Sequence, residues 1–234
     1  MSNIMHKLVS DSLIIPALEN GDRLTRGEFE RRYANMPDLK KAELIERIVY
    51  MGSPLRIDQH GEPHVNVIGW LTFYKGFTPN LQIGDNTTVC LDSDNEPQPD
   101  VLMRIIKGGQ SIVNNKGYVE GPPELIVEIA ASTVSIDLHD KLKVYRRNRV
   151  QEYIVWRVQD QEVDWFKLRE GEYIKLLPDN SGVIKSEIFP GLWLDVNDLL
   201  AGDFPKLWAV VQAGINTTDH QTFVETMTQY SNAI

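Results

Sequence analysis

The segment Glu124-Leu-Ile-Val-Glu-Ile-Ala130 decides the fold. Its almost continuous apolar character is typical of a central strand that is buried on both faces. A helical pattern of apolar residues follows from Asp137 to Asn148, and Tyr153-Ile-Val-Trp156 then has the composition of a second strand. Because a strand, a helix and a further strand in this order form a crossover unit, the sequence predicts two neighbouring parallel strands here.

The flanking sequence predicts further elements around this unit. Thr25 and Glu28 have the spacing of a capping box, so we expect a short helix that continues to Met36. The other expected elements are a strand over 43–51, a helix over 64–74, a hairpin of strands 80–83 and 87–91 about a Gly84-Asp-Asn86 turn, a strand over 99–103, a surface loop over 104–123, a hairpin over 162–177 at the far edge of the sheet, and helices over 205–214 and 219–230. The segment 193–200 is expected to pack on the sheet edge or to start a helix.

These elements predict one mixed domain of the α/β class, with an α+β mixed sheet, over residues 25–200. Residues 1–24 are expected to form an N-terminal extension, and residues 201–234 a C-terminal helical appendage. With 234 residues, of which 42% are hydrophobic, the chain is long enough to bury one full core.

The composition excludes several classes of protein. The single cysteine, Cys90, leaves no internal disulfide and no Cys-rich zinc module, which favours a reducing compartment, and we expect a cytoplasmic location. No run approaches the roughly 18 apolar residues that a membrane span requires, so no membrane partner is expected. The net charge of -9 disfavours a protein that binds polyanions over its whole surface, although the charge of a local cleft can differ from the net charge.

Glu128 is the anomalous residue of the central strand. It shares a face with Ile126 and Ala130, while Leu125, Val127 and Ile129 occupy the other face. A lone ionised carboxylate is too costly to bury there, so Glu128 must be protonated, paired with a base, or bound to a cation. A buried ion pair with a downstream basic residue and a cation site are equally consistent with this position alone.

Asp100 favours the cation site. It heads a predicted strand directly after Pro99, and a second carboxylate beside Glu128 would repel it unless a hard cation lay between them. Two carboxylates and the backbone carbonyl of Ile129 would make an oxygen-only site suited to Mg²⁺ or Mn²⁺. Taken alone, Asp100 is better explained as a turn residue that caps a strand.

Lys141 lies on the predicted helix after the Glu128 strand, one turn beyond Asp137. Leu138, Leu142 and Tyr145 are expected to tie this part of the helix to the sheet, so the ammonium can reach back over the strand end. There it would stabilise developing charge at phosphorus or position an attacking water. The usual alternative for a helical lysine is full solvation.

These residues belong to a longer pattern, which comprises Glu43-Leu-Ile, Met51-Gly-Ser-Pro54, His64, Pro99-Asp-Val, Pro123-Glu-Leu-Ile-Val-Glu-Ile, Asp137 with Lys141 and Tyr145, and Val150-Gln-Glu-Tyr-Ile-Val. From about Leu24 to Leu200 the pattern resembles the Uma family, described as putative restriction-endonuclease-like proteins, within the PD-(D/E)XK nuclease superfamily. The resemblance implies a restriction-endonuclease-like core with flanking helices and an antiparallel hairpin extension.

The resemblance also implies roles for individual residues. Asp100 and Glu128 would be metal ligands, Glu43 an accessory acid on the first strand, and Lys141 the catalytic lysine. The implied activity is Mg²⁺-dependent or Mn²⁺-dependent endonucleolytic hydrolysis of nucleic acid, most simply DNA, and a homodimer follows by analogy with nucleases that cut both strands. The chain has Ala130 where the superfamily signature has a lysine, which the resemblance accommodates by a lysine moved to the next helix.

Several alternatives remain open at this point. A protein that keeps the nuclease fold without turnover, as a binding or structural module, fits Ala130 and the acidic composition. A glycosidase built from two carboxylates is weaker, because no aromatic-lined sugar cleft is evident. His64 is expected to be a polar surface or capping residue, and the basic run Lys141 to Arg149 either touches phosphates or forms a solvated helix face. Lys107-Gly-Gly-Gln lacks the ending of a phosphate-binding loop.

Overall fold

A computed structural model of the protein describes residues 15–52 and 54–232. Most of the predicted N-terminal extension, residues 1–14, lies outside the described residues. The helices are α1 Arg26–Tyr33, α2 Glu62–Lys75, α3 Leu142–Arg147, α4 Val196–Ala201, α5 Phe204–Ile215 and α6 Thr218–Asn232. The strands are β1 Ala42–Ile45, β2 Ile48–Met51, β3 Leu81–Asp85, β4 Val89–Cys90, β5 Val101–Ile105, β6 Ile112–Val113, β7 Val119–Glu120, β8 Leu125–Ala130, β9 Glu152–Arg157, β10 Glu162–Arg169, β11 Glu172–Leu176, β12 Val183–Lys185 and β13 Trp193–Asp195. Two π-helical turns, Ile57–Gly61 and Ile136–Lys141, run directly into α2 and α3.

The central sheet has six strands in the order β11-β10-β9-β8-β5-β3. β8 and β9 are parallel and joined through α3, so the predicted crossover is confirmed. The other pairs in this sheet are antiparallel, which includes the predicted hairpin of β10 and β11 at one edge. The result is a mixed sheet flanked by helices, which is the fold class that the sequence predicts.

β8 is buried along its whole length because both faces of the sheet are covered. Leu125, Val127 and Ile129 join the core that contains α2, and Ile126 and Ala130 join a second core on the opposite face. The predicted alternation of faces is therefore confirmed. It leaves Glu128 on the face of the second core, where Tyr145 of α3 also packs.

The predicted strand over 43–51 is wrong, because this segment is a hairpin. β1 and β2 pair antiparallel with Ile45 opposite Ile48, and the turn consists of Glu46 and Arg47. Both turn residues have positive φ values, of 50° and 65°, a conformation that hairpin turns usually fill with Gly or Asn. Without those residues, the sequence carries no local signal for the turn.

The predicted hairpin of strands 80–83 and 87–91 is also wrong. β3 pairs with β5, whereas β4 pairs in parallel with β7 in a small separate sheet. The predicted loop over 104–123 contains β6 and β7 of that small sheet. Gly84 and Asp85 of the predicted turn belong to β3 and pair with β5. These pairings join segments distant in sequence, so local composition could not identify the partners.

The C-terminal segment adds β12, β13 and three helices. β13 pairs with β12 rather than with the central sheet, and Asp195 then caps α4 by accepting from the backbone N–H groups of Asn197 and Asp198. Leu207, Val211 and Ile215 of α5 are buried in the same core as the sheet. In the described part of the chain, no helix combines the length and the apolar character needed to span a membrane.

Glu152, at the start of β9, anchors the segment after β12. Its carboxylate accepts hydrogen bonds from Trp165 Nε1 (3.2 Å), the Ser186 hydroxyl (2.8 Å) and the backbone N–H of Glu187 (2.8 Å). Burial raises the pKa of Glu152 to about 7. Glu152 therefore has a structural role in the family-like pattern, because it holds this segment in place, and it is not part of the acidic site described below.

We expect Glu152→Ala to lower the free energy of unfolding by about 2 to 4 kcal/mol, because it leaves several buried donors without an acceptor. Urea denaturation measures this loss. Glu225→Ala, on the exposed face of α6, is the control and is expected to stay within about 0.5 kcal/mol of the wild type. Equal effects of the two substitutions would contradict the anchoring role.

Candidate active site

The acidic site lies where β5 and β8 meet. Asp100 directly precedes β5, and Val101 pairs with Val127, so one further step of the antiparallel register brings Asp100 opposite Glu128. Asp100 Oδ2 accepts a hydrogen bond of 2.8 Å from the backbone N–H of Ile129. The two predicted ligand carboxylates therefore stand on neighbouring strands, and both are almost fully buried.

Lys141 reaches the site from the π-helical turn before α3. Its Nζ lies 3.0 Å from Glu128 Oε1, 3.0 Å from Glu43 Oε1 and 3.6 Å from Asp137 Oδ1. The Tyr145 hydroxyl donates to the same Glu128 oxygen at 2.8 Å. The sequence-based alternative of a solvated lysine is wrong, because the Lys141 side chain is only 5% exposed.

Burial and charge act in opposite directions on this cluster. Burial lowers the pKa of Lys141, but Glu128, Glu43 and Asp137 outweigh it, and the pKa lies well above its usual value. Burial raises the pKa of Glu128, Lys141 opposes the rise, and Asp100, Asp137 and Glu43 add to it. Lys141 is therefore the charge that makes the burial of three carboxylates tolerable.

Lys41 is a second lysine at the site. It precedes β1, and its Nζ contacts Asp100 Oδ1 at 3.1 Å and Asn86 Oδ1 at 3.0 Å. Burial raises the pKa of Asp100, but Lys41, His60 and Lys141 outweigh it and hold the pKa below its usual value. With 27% of its side chain exposed, Lys41 is more accessible than Lys141.

Two histidines approach Asp100 from the other side. His60, in the π-helical turn before α2, places Nε2 3.5 Å from Asp100 Oδ1. His64, one turn later, places Nε2 2.9 Å from the backbone oxygen of Asp100 and 3.1 Å from Asp85 Oδ1. The prediction of a surface or capping role for His64 is wrong, since its side chain is only 12% exposed and contacts the acidic site.

The chemistry of the side chains fits a divalent cation. Four carboxyl groups, those of Glu43, Asp100, Glu128 and Asp137, face only two ammonium groups, and burial together with their mutual repulsion raises the pKa of Glu128 to about 8 and that of Asp137 above its usual value. A bound cation would favour the ionised form of these groups. A buried nitrogen, His60 Nε2, also lacks a hydrogen-bond partner beside Asp100. Among the described residues no group of three or more acidic, His or Cys side chains is already arranged to hold a metal ion. Lysines pair with the carboxylates of the acidic site.

The structure brings together all four side chains predicted from the sequence, which are those of Glu43, Asp100, Glu128 and Lys141. The Ile129 backbone is also present, with its N–H bonded to Asp100. Sequence analysis missed Lys41 and His60. Two signals could have revealed them: Lys41 and Glu43 have the two-residue spacing of side chains that share a face in extended backbone, and His60 and His64 have the spacing of one helical turn.

The basic run after Lys141 is engaged with neighbouring acids. Arg146 pairs with Glu172 at 2.5 Å, and Arg147 pairs with Glu46 at 2.6 Å. Lys143 lies 3.9 Å from Asp140 and is 64% exposed. These ion pairs favour the interpretation of the run as a solvated helix face over direct contact with phosphates.

Comparisons with known proteins concern the family and the fold. A family model described as "Uma2: Putative restriction endonuclease" matches residues 26–197. The crystal structure of a putative nuclease belonging to DUF820 from Anabaena variabilis ATCC 29413 matches with a TM-score of 0.55 and 13% sequence identity, covering 73% of this chain and 96% of that chain. At this identity the likeness concerns the fold, and it confirms the predicted restriction-endonuclease-like class. No curated protein matches the sequence.

Proposed function

Because the chain belongs to the Uma2 family of putative restriction endonucleases, we propose that it is a divalent-metal-dependent endonuclease that hydrolyses phosphodiester bonds in DNA. One observation carries the proposal. Asp100 and Glu128 are buried on adjacent strands beside a lysine, with more carboxylates than the neighbouring ammonium groups can neutralise. A purely structural ion pair would need only one carboxylate for each lysine.

Asp100, Glu128 and the backbone carbonyl of Ile129 are the groups proposed to hold the cation, which is Mg²⁺ or Mn²⁺. When bound, such an ion supplies Lewis acidity at a phosphoryl oxygen and lowers the pKa of a water molecule. The backbone N–H of Ile129 holds Asp100 Oδ2 in place at 2.8 Å, so one carboxylate is oriented before any ligand arrives. This orientation reduces the cost of assembling the site.

The two lysines have different proposed tasks. Lys141, almost fully buried between Glu43 and Glu128, fixes the direction of the Glu128 carboxylate and opposes the rise that burial causes in its pKa. Lys41 is partly open to solvent and carries the positive charge that a phosphate can approach. Because its ammonium lies beside Asp100 and is open to solvent, Lys41 would stabilise negative charge that develops at phosphorus.

The first experiment measures cleavage of supercoiled and linear DNA by the wild type with Mg²⁺, with Mn²⁺ and with a chelator. We expect strand cleavage with a metal ion and none with the chelator. Glu128→Gln keeps the shape of the side chain but removes its charge, and it is expected to reduce the rate at least about 100-fold.

Circular dichroism of Glu128→Gln controls for folding, since Glu43 and Asp137 still compensate Lys141 in this variant. Equal cleavage by the wild type and Glu128→Gln would rule out the proposed site. Metal binding without cleavage of any nucleic acid would instead favour a nuclease-fold protein that acts as a binding module, for which the burial of Lys141 and the alanine at position 130 are the supporting features. The homodimer and the cytoplasmic location stay predictions.

A further inference from the structure

His60 is the residue of the site whose contacts are incomplete. It is only 8% exposed, and its Nε2 is, among the described residues, the buried side-chain nitrogen or oxygen that lacks a hydrogen-bond partner. Leaving a buried polar atom unpaired costs free energy that folded proteins rarely accept without a reason. A histidine with only a packing role would have this nitrogen in a hydrogen bond.

The unpaired nitrogen can act as a metal ligand. A neutral imidazole carries its proton on one ring nitrogen and a lone pair on the other. With the proton on Nδ1, Nε2 of His60 presents a lone pair for which no hydrogen-bond partner competes.

The direction of the free nitrogen is towards the acidic site. Nε2 lies 3.5 Å from Asp100 Oδ1. Metal–nitrogen and metal–oxygen bonds are about 2.0 to 2.2 Å long, so two donors to one ion stand roughly 3 to 3.5 Å apart. The separation of Nε2 and Oδ1 therefore suits two ligands of the same cation.

His64 provides the internal contrast. It lies on the same helical face, and its ring is 5.4 Å from that of His60. Its Nε2, however, contacts the backbone oxygen of Asp100 and the carboxylate of Asp85. A nitrogen that donates to an oxygen has no lone pair to offer, so His64 is not a candidate ligand in this arrangement.

We propose that His60 Nε2 is a ligand of the cation held by Asp100, so that the site combines nitrogen and oxygen donors and selects a transition-metal ion such as Mn²⁺ over Mg²⁺. This inference rests on the proposed function, because it uses the same cation site. An imidazole ligand favours first-row transition metals, whereas Mg²⁺ prefers oxygen donors and retained waters. Nothing in an oxygen-only site would require His60.

The test uses Mn²⁺ alone, without nucleic acid. Electron spin echo envelope modulation of Mn²⁺ bound to the wild type is expected to show coupling to a directly bound ¹⁴N nucleus, and calorimetry is expected to give an affinity for Mn²⁺ at least about tenfold higher than for Mg²⁺. His60→Gln is expected to abolish the nitrogen coupling and to remove the preference for Mn²⁺. His64→Gln, the matched control, is expected to keep both.

The outcomes separate this inference from the proposed function. Mn²⁺ bound with no nitrogen coupling, or with coupling that persists in His60→Gln, would overturn the role of His60 while leaving the cation site intact. Failure of the wild type to bind either ion would overturn both. If His60→Gln does not fold, wild-type protein labelled with ¹⁵N-histidine answers the same question, because a histidine bound to Mn²⁺ then gives coupling to ¹⁵N instead of ¹⁴N. The same label in His64→Gln shows whether the neighbouring ring is the source of the coupling.

Discussion

Lys141→Met is expected to lower the free energy of unfolding by about 3 to 5 kcal/mol at pH 8, because it leaves several buried carboxylates without their cation. Glu43, Glu128 and Asp137 all lie within 3.6 Å of the Lys141 ammonium. Lys41 pairs directly with Asp100 and reaches Glu43 and Glu128 only through longer-range attraction, so it replaces the missing charge only in part. Urea denaturation followed by circular dichroism measures the loss.

The loss should depend on pH with a defined sign. The pKa of Lys141 is raised in the folded protein, so the lysine is fully charged below its unfolded pKa of about 10.5, and its own titration adds no pH dependence between about pH 4 and pH 8. In the variant, the pKa values of Glu128 and Asp137, already raised by burial, rise further without Lys141. A carboxyl group whose pKa is raised in the folded state lowers the free energy of unfolding of the protein as the pH rises above its unfolded pKa. The deficit of the variant should therefore grow from about pH 4 to pH 8.

Lys143→Met is the matched control on the same helix. Lys143 is 64% exposed and lies 3.9 Å from Asp140, so its removal is expected to change stability by less than about 0.5 kcal/mol at any pH. A Lys141→Met variant that is as stable as Lys143→Met at pH 8 would show that the carboxylates are protonated or solvated without Lys141. That result would remove the electrostatic basis of the site.

The central part of the fold was predictable because its signals are local. The apolar run of β8 and the helical pattern after it specify a crossover, and the charge of Glu128 within that run identifies the site. The same reasoning failed for the turn at Glu46 and Arg47, whose backbone N–H groups donate to Asn95 and Asp94 and whose φ values are positive without Gly or Asn. Pairing of β3 with β5, and of β4 with β7, depends on contacts that no single segment encodes.

The site was predictable as a set of residue types but not as a network. Sequence analysis identified Lys141 as the lysine near Glu128, yet it assigned no role to Lys41, which contacts Asp100. The reason is that a single strand over 43–51 excludes Lys41 and does not relate Glu43 to Asp100. His60 is not evident from the sequence because the π-helical turn extends the helical region before Pro63, the residue at which the sequence predicts the helix to start.

Asp100→Asn is expected to abolish the stabilisation by divalent cations that the proposed site requires. If Mn²⁺ at 100 times its dissociation constant binds only the folded protein, it stabilises the wild type by about 2.7 kcal/mol, which for a chain of this size raises the melting temperature by roughly 5 to 10 °C. Asparagine keeps an oxygen that can accept from the Ile129 N–H but removes the charge that faces Lys41 and His60. Cleavage of DNA should fall by at least about 1000-fold in the same variant.

The measurement for Asp100→Asn must be the metal-dependent rise and not the melting temperature itself. The pKa of Asp100 is lowered in the folded protein, so its charge stabilises the metal-free chain above about pH 4, and the variant loses that contribution whether or not a cation binds. Asp85→Asn is the matched control, because Asp85 lies beside His64 in the same region but is 61% exposed. The variant at position 85 should keep the full rise. A rise of equal size in Asp100→Asn would mean that the cation binds elsewhere. Removing the charge of a direct ligand must weaken the affinity of the folded protein for the cation and so reduce the rise.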